Sequence, residues 1–110
     1  MGRGDGRIVV SGSHGGLSSG RFALEARPKL AVFNDAGVGK DGAGIAALAL
    51  LNAAGIAACT VSHASACIGV AASSLNDGVV SFVNAQAGMF GLLPGERLSA
   101  ALDRIVPPST

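Results

Sequence analysis

Three side chains suited to proton transfer stand in similar local settings along the sequence. His14 lies in SGSHGG, His63 in TVSHAS and Asp35 in FNDAG, each at or just after the end of a short apolar run. An imidazole exchanges its proton near neutral pH, and a neighbouring carboxylate can orient the ring. Two histidines and a carboxylate are also a donor set for a catalytic metal, although no His-x-His pair accompanies them. We therefore predict acid–base catalysis by these three residues, with a metal site as the second interpretation.

The glycine-rich stretch FNDAGVGKDGAG, residues 33–44, adds a candidate anion site. Glycines let the backbone approach a ligand closely, and a helix that begins after the loop attracts negative charge to its N–H groups. Lys40 adds a positive charge. The spacing fits neither the phosphate loop nor the dinucleotide-binding fingerprint. The stretch predicts a small phosphate- or carboxylate-bearing metabolite as the ligand and identifies no cofactor.

Small and polar residues near these groups complete the predicted site. They share a position in or beside the loops that follow the apolar runs, where a hydroxyl, an amide or the backbone can contact a ligand. The predicted ligand-binding residues are Ser13, Gly15, Gly16, Asn34, Gly37, Gly39, Lys40, Ser62, Ser65 and Asn84. No serine stands in a Gly-x-Ser-x-Gly elbow, and we expect Cys59 and Cys67 to be buried, reduced thiols.

Apolar runs and helical segments alternate along the chain and must position these residues. The predicted strands are Arg7–Ser13, Leu30–Asn34, Ile56–Ser62 and Val79–Asn84. The predicted helices are Leu17–Ala26, Gly42–Ala54, the middle of residues 63–78, and a C-terminal helix within residues 94–106.

This alternation predicts a small α/β domain of the Rossmann-like, flavodoxin-like kind, with three layers and a mainly parallel four-stranded sheet. The carboxyl ends of parallel strands meet at one edge, where open α/β sheets bind their ligands. We therefore expect both imidazoles, Asp35 and Asn84 to share that edge.

The length and composition limit the classes of function. A chain of 110 residues makes one domain, which we place at residues 7–106, with a flexible leader at 1–6 and a tail at 107–110. Charged residues are 14% of the chain and the net charge is +1 without a basic cluster, which argues against nucleic acid as a partner. The sequence shows no signal peptide and no apolar run of bilayer length, so we expect a cytoplasmic protein that does not bind membranes.

Two apolar stretches predict self-association. GIAALALLNAAG is apolar around nearly all of its helical circumference, and AGMFGLLPG gathers large apolar residues near a turn. The first stretch is either buried on two sides within the domain or packed against another chain. We expect a homo-oligomer.

Residues 7–20, RIVVSGSHGGLSSG, resemble the opening of the mannose-type phosphotransferase IIA domains, in which a strand runs into a Ser/Thr-His-Gly loop and then a helix. The resemblance covers about the first fifth of the chain and implies that His14, with Gly15 beside it, carries a phosphoryl group. Three functions stay open: an acid–base lyase, isomerase or hydrolase, a phosphoryl-carrying domain, and a non-catalytic ligand-binding or assembly module.

Overall fold

Four strands and four helices form the part of the chain that the computed structural model describes, which is residues 8–14, 17–35, 42, 45–65 and 77–105. The strands are β1 (Ile8–His14), β2 (Leu30–Asn34), β3 (Ala57–Val61) and β4 (Val80–Val83). The helices are α1 (Leu17–Ala26), α2 (Ala46–Ala53), α3 (Ala85–Gly88) and α4 (Leu98–Ile105). The predicted α/β class is confirmed. Most of the predicted helix within residues 63–78, and the predicted leader and tail, lie outside the described residues.

The sheet is mixed. Its strand order is β1-β2-β3-β4, with β1, β2 and β3 parallel and β4 antiparallel to β3. The prediction that all four strands end at one edge is therefore wrong for β4. Every residue of β2 and β3 is buried, as is typical of strands covered on both faces, whereas β4 leaves Phe82 exposed and Ser81 half-buried.

The register between β3 and β4 shifts by one residue. Val61 pairs with Val80 and Thr60 pairs with Phe82, so Ser81 is the extra residue of a bulge. The hydroxyls of Thr60 and Ser81 lie 2.8 Å apart and hydrogen-bond to each other. The bulge thus keeps a fully buried threonine hydroxyl satisfied.

The outer side of β4 is covered where the strand begins. The N–H of Val80 donates to the carbonyl of Glu96 at 2.8 Å, and the N–H of Gly95 donates to the carbonyl of Val80 at 2.7 Å. Val79 forms an isolated antiparallel bridge with Arg97. The turn before α4 therefore extends the ladder beside the first residues of β4.

Each face of the sheet carries its own apolar cluster. The cluster under α1 and α2 consists of Ala23, Ala31, Phe33, Ala47, Leu48, Leu51, Ile56 and Ala58. The cluster under α3 and α4 consists of Leu30, Val32, Ala57, Cys59, Val61, Val80, Ala87, Leu92, Leu98 and Ala101. The central strands β2 and β3 are consequently held from both sides, which makes their carboxyl ends a firm base for a site.

The two helices on one face touch through very small residues. A Cβ atom built on Gly20 of α1 would lie 2.9 Å from the Cβ of Ala47 in α2. Ala47, Leu48 and Leu51 are buried, so much of the apolar surface of α2 is covered inside the domain. Among the described residues, no helix combines the length and the apolar character that crossing a membrane requires.

Candidate functional site

The carboxyl ends of β1, β2 and β3 lie side by side at one edge of the sheet, which we call the carboxyl edge. His14 pairs with Asn34, and Asn34 pairs with Val61. The last residues of the three strands therefore stand in one row. Asp35 follows β2 directly, and the turn that contains His63 follows β3.

Asp35 joins this row to the turn after β3. Its N–H donates to the carbonyl of Val61 at 2.9 Å, which extends the pairing of β2 and β3 by one step. Its Oδ1 accepts a hydrogen bond from the main-chain N–H of His63 at 3.0 Å. The same oxygen lies 3.3 Å from Nδ1 of the His63 ring. One carboxylate oxygen thus holds both the backbone and the side chain of His63.

The two side chains differ strongly in exposure. The side chain of Asp35 is 6% exposed and that of His63 is 59% exposed. A carboxylate oxygen accepts hydrogen bonds, so the neutral ring placed against it carries its proton on Nδ1. Nε2 is then the basic nitrogen of a ring that solvent can reach. The geometry thus leaves Nε2 as the nitrogen of His63 that a ligand can approach.

The turn of residues 62–65 carries His63 and is closed by its own hydroxyls. The N–H of Ser62 donates to the carbonyl of Val79 at 2.8 Å, and the N–H of Ala64 donates to Oγ of Ser62 at 3.1 Å. Oγ of Ser65 donates to the carbonyl of Ser62 at 2.9 Å and accepts from the N–H of Val79 at 2.9 Å. Sequence reasoning missed Val79, because a residue that acts through its main chain leaves no side-chain signal.

Asn84 lies away from the carboxyl edge, because β4 runs in the opposite direction. Its Oδ1 accepts from the N–H groups of Ala58 at 3.0 Å and Ala87 at 2.9 Å. Its Nδ2 donates to the carbonyls of Leu48 at 3.1 Å and Ile56 at 3.0 Å. The expectation that Asn84 shares an edge with His63 is wrong, and its amide instead ties α2, β3 and α3 together.

Among the other predicted site residues, the structure describes the side chain of Asn34 and of no other. Asn34 is fully buried at the end of β2. Ser13 and His14 belong to β1 by their backbone, and their side chains are outside the described part of the molecule. Gly15, Gly16, Gly37, Gly39, Lys40 and Cys67 lie outside the described residues. The proximity of the His14 and His63 imidazoles and the binding of an anion by residues 33–44 stay predictions.

Cys59 is a core residue, as the sequence predicts. Burial, with a smaller contribution from the negative charge of Glu96, raises the pKa of the Cys59 thiol from 9.0 to about 12. The thiol therefore stays protonated at neutral pH and is no nucleophile. Within the described ranges, no group of three or more His, Cys, Asp or Glu side chains is arranged to hold a metal ion.

No family model, no curated protein and no solved structure matches this chain. The resemblance of residues 7–20 to the mannose-type phosphotransferase IIA domains stays a prediction. The function is therefore argued from the chemistry of the carboxyl edge.

Proposed function

We propose that this chain is a small enzyme that transfers protons on a small anionic metabolite, with Asp35 and His63 as its acid–base pair. We assign it to the Rossmann-like, flavodoxin-like type of three-layer α/β domain. The observation that carries the proposal is the double contact of Asp35 Oδ1 with His63, 3.0 Å from the main-chain nitrogen and 3.3 Å from Nδ1. His63 is the proton-transferring group and Asp35 orients it.

The contact with the ring distinguishes this arrangement from an ordinary turn. An aspartate that only closes a turn needs to accept a main-chain N–H, and Asp35 does accept the one from His63. The additional contact with the imidazole limits the rotamers of the His63 side chain, which is 59% exposed and loses conformational entropy when it is held. An imidazole with one nitrogen on a carboxylate and the other open to solvent is the arrangement of a general base.

The anionic substrate class rests on the sequence next to the pair. β2 and Asp35 end at the carboxyl edge, and the glycine-rich stretch with Lys40 follows Asp35 in the sequence. His14 ends the neighbouring strand, and we propose it as the second proton-transfer group. The chemistry we propose is that of a lyase or isomerase, or of a hydrolase in which His63 activates water.

Proton NMR in D₂O tests the proposal even though the substrate is unidentified. Pools of phosphorylated compounds and of carboxylic acids are incubated with the protein, and exchange of C–H protons for deuterium or formation of products is followed. We expect protein-dependent exchange or conversion of at least one compound. The H63Q variant should lower its rate by about 100-fold or more, because it removes the base. The D35N variant should lower it as well, because the amide lacks the negative charge that a carboxylate places beside the ring during proton transfer.

D103N is the matched control, since Asp103 is an exposed carboxylate on α4, and it should keep the wild-type rate. Equal rates for wild type and H63Q would contradict the proposal. A thermal shift with phosphates or carboxylates but no conversion favours the non-catalytic module. Phosphohistidine at His14 after incubation with acetyl phosphate favours the phosphoryl-carrying alternative.

A further inference from the structure

We propose that Ser65 is a positioning residue for His63, holding the turn of residues 62–65 so that the imidazole stays against Asp35. The inference rests on the proposed function of the Asp35–His63 pair. It gives Ser65 a role different from the ligand contact that the sequence predicts.

The hydroxyl of Ser65 joins two parts of the chain that are far apart in sequence. It donates to the carbonyl of Ser62, the residue directly before His63, at 2.9 Å. It accepts from the N–H of Val79, just before β4, at 2.9 Å. The main chain of Val79 also accepts from the N–H of Ser62. The two ends of the turn are therefore fastened to the same residue of the neighbouring segment.

His63 needs this support because its own side chain is poorly restrained. The ring is 59% exposed, and its contact with Asp35 is 3.3 Å long, at the weak end of the hydrogen-bond range. The shorter contact, at 3.0 Å, is made by the main-chain N–H of His63. The position of the ring is consequently set by the backbone of the turn. The N–H of Ser65 closes that turn onto the carbonyl of Ser62 at 3.0 Å, and the Ser65 hydroxyl is what also ties it to Val79.

The chemistry of the hydroxyl argues against a direct contact between Ser65 and a substrate. A serine hydroxyl has one proton to donate, and Ser65 gives it to the carbonyl of Ser62. A hydrogen bond from the Ser65 hydroxyl to an anion would break that contact and leave the N–H of Ser65 as the donor to the Ser62 carbonyl. Ser62 has a more local role, since its Oγ accepts from Ala64 within the same turn.

Nitrogen NMR of the His63 ring tests the inference and needs no substrate. In the wild type we expect the neutral ring to hold its proton on Nδ1. The S65A variant should move the ring toward the tautomer mixture of an unstructured peptide. S65T keeps a hydroxyl and should restore the wild-type signature. In S65A the amide of Val79 should exchange with solvent about tenfold faster, because its acceptor is lost.

S81A is the matched control for a general loss of stability. It removes another half-buried serine hydroxyl from the β4 region, the one bonded to Thr60, and should leave the His63 tautomer unchanged. An unchanged tautomer in S65A overturns the inference. An unchanged tautomer in D35A, which removes the acceptor oxygen, contradicts the proposed function instead, so the two failures are distinguishable. If S65A does not fold, hydrogen exchange of the wild-type protein tests the inference instead. Exchange of the Val79 amide at the rate of an unprotected amide would overturn it.

Discussion

Polar side chains hold the main chain of this protein at points between its regular strands and helices. Asp35 holds the turn after β3, Ser65 fastens that turn to Val79, and Asn84 joins α2, β3 and α3. Each replaces a hydrogen bond that a strand or helix would otherwise supply. Single polar residues therefore decide the geometry of both edges of the sheet.

We expect N84A to be strongly destabilising. The substitution leaves the N–H groups of Ala58 and Ala87 and the carbonyls of Leu48 and Ile56 without the amide that now bonds them. Buried groups of this kind cost about 1–3 kcal/mol each when left unpaired, so we expect the free energy of unfolding to fall by about 3 kcal/mol or more. Urea denaturation measures the loss.

N52A is the matched control for N84A. The side-chain oxygen of Asn52 accepts one half-buried hydrogen bond, from the N–H of Gln86 at 3.1 Å. Its removal should lower the free energy of unfolding by about 1 kcal/mol. Similar losses for the two variants would contradict the structural role assigned to Asn84.

The sequence predicts which residue types form the candidate site and where in the fold some of them lie. Asp35 and His63 follow apolar runs, and parallel strands bring such positions to one edge. The use of the Ser65 hydroxyl was not predictable, because its partner Val79 lies 14 residues away across a segment whose path the sequence does not give. Hydrogen bonds between distant residues depend on packing that no local pattern encodes.

Among the elements, β2 was predicted with its observed bounds, Leu30–Asn34, whereas the direction predicted for β4 is wrong. An apolar run indicates a strand but carries no sign of its direction, which depends on how the preceding connection crosses the sheet. In the structure β4 leaves Ser81 half-buried and Phe82 exposed, whereas β2 and β3 are buried throughout. A strand with one open face is more typical of antiparallel pairing.

The contact between α1 and α2 predicts an unusual response to a helix-favouring substitution. Alanine normally stabilises a helix by up to about 1 kcal/mol relative to glycine. In G20A the new Cβ would lie 2.9 Å from the Cβ of Ala47 and 3.0 Å from Cδ2 of Leu50. Overpacking costs about 1–3 kcal/mol, so we expect the midpoint of thermal unfolding to fall.

G88A is the control, because a Cβ on Gly88 of α3 meets nothing within 4 Å. That variant should be neutral or slightly more stable than the wild type. If G20A raised the midpoint as well, α1 and α2 would not be in the close contact described.

At the scale of the whole molecule, the homo-oligomer stays a prediction, and the large apolar side chains on the surface of the described residues are where it can be tested. Met89 and Leu93, from the turn after α3, are 79% and 63% exposed, and Phe90 between them is also exposed. Exposed apolar residues gathered in one short segment are typical of contact surfaces. We expect the M89Q/L93Q double variant to shift the protein toward the monomer, measured by light scattering after size exclusion at micromolar concentration.

F22Q is the control for that experiment. Phe22 on α1 is 73% exposed and comes from another part of the chain, so its substitution should leave the molecular mass unchanged. A wild-type protein that elutes as a monomer would contradict the prediction.

The edge of the sheet at β4 is covered by the chain itself. Val79 bridges to Arg97, and Val80 bonds to residues 95 and 96, which limits aggregation in concentrated solution. An uncovered border strand recruits strands from other molecules and can seed fibrils. Here the chain folds back and occupies those donors and acceptors itself. Strands from other molecules therefore cannot pair with this edge of the sheet where β4 begins.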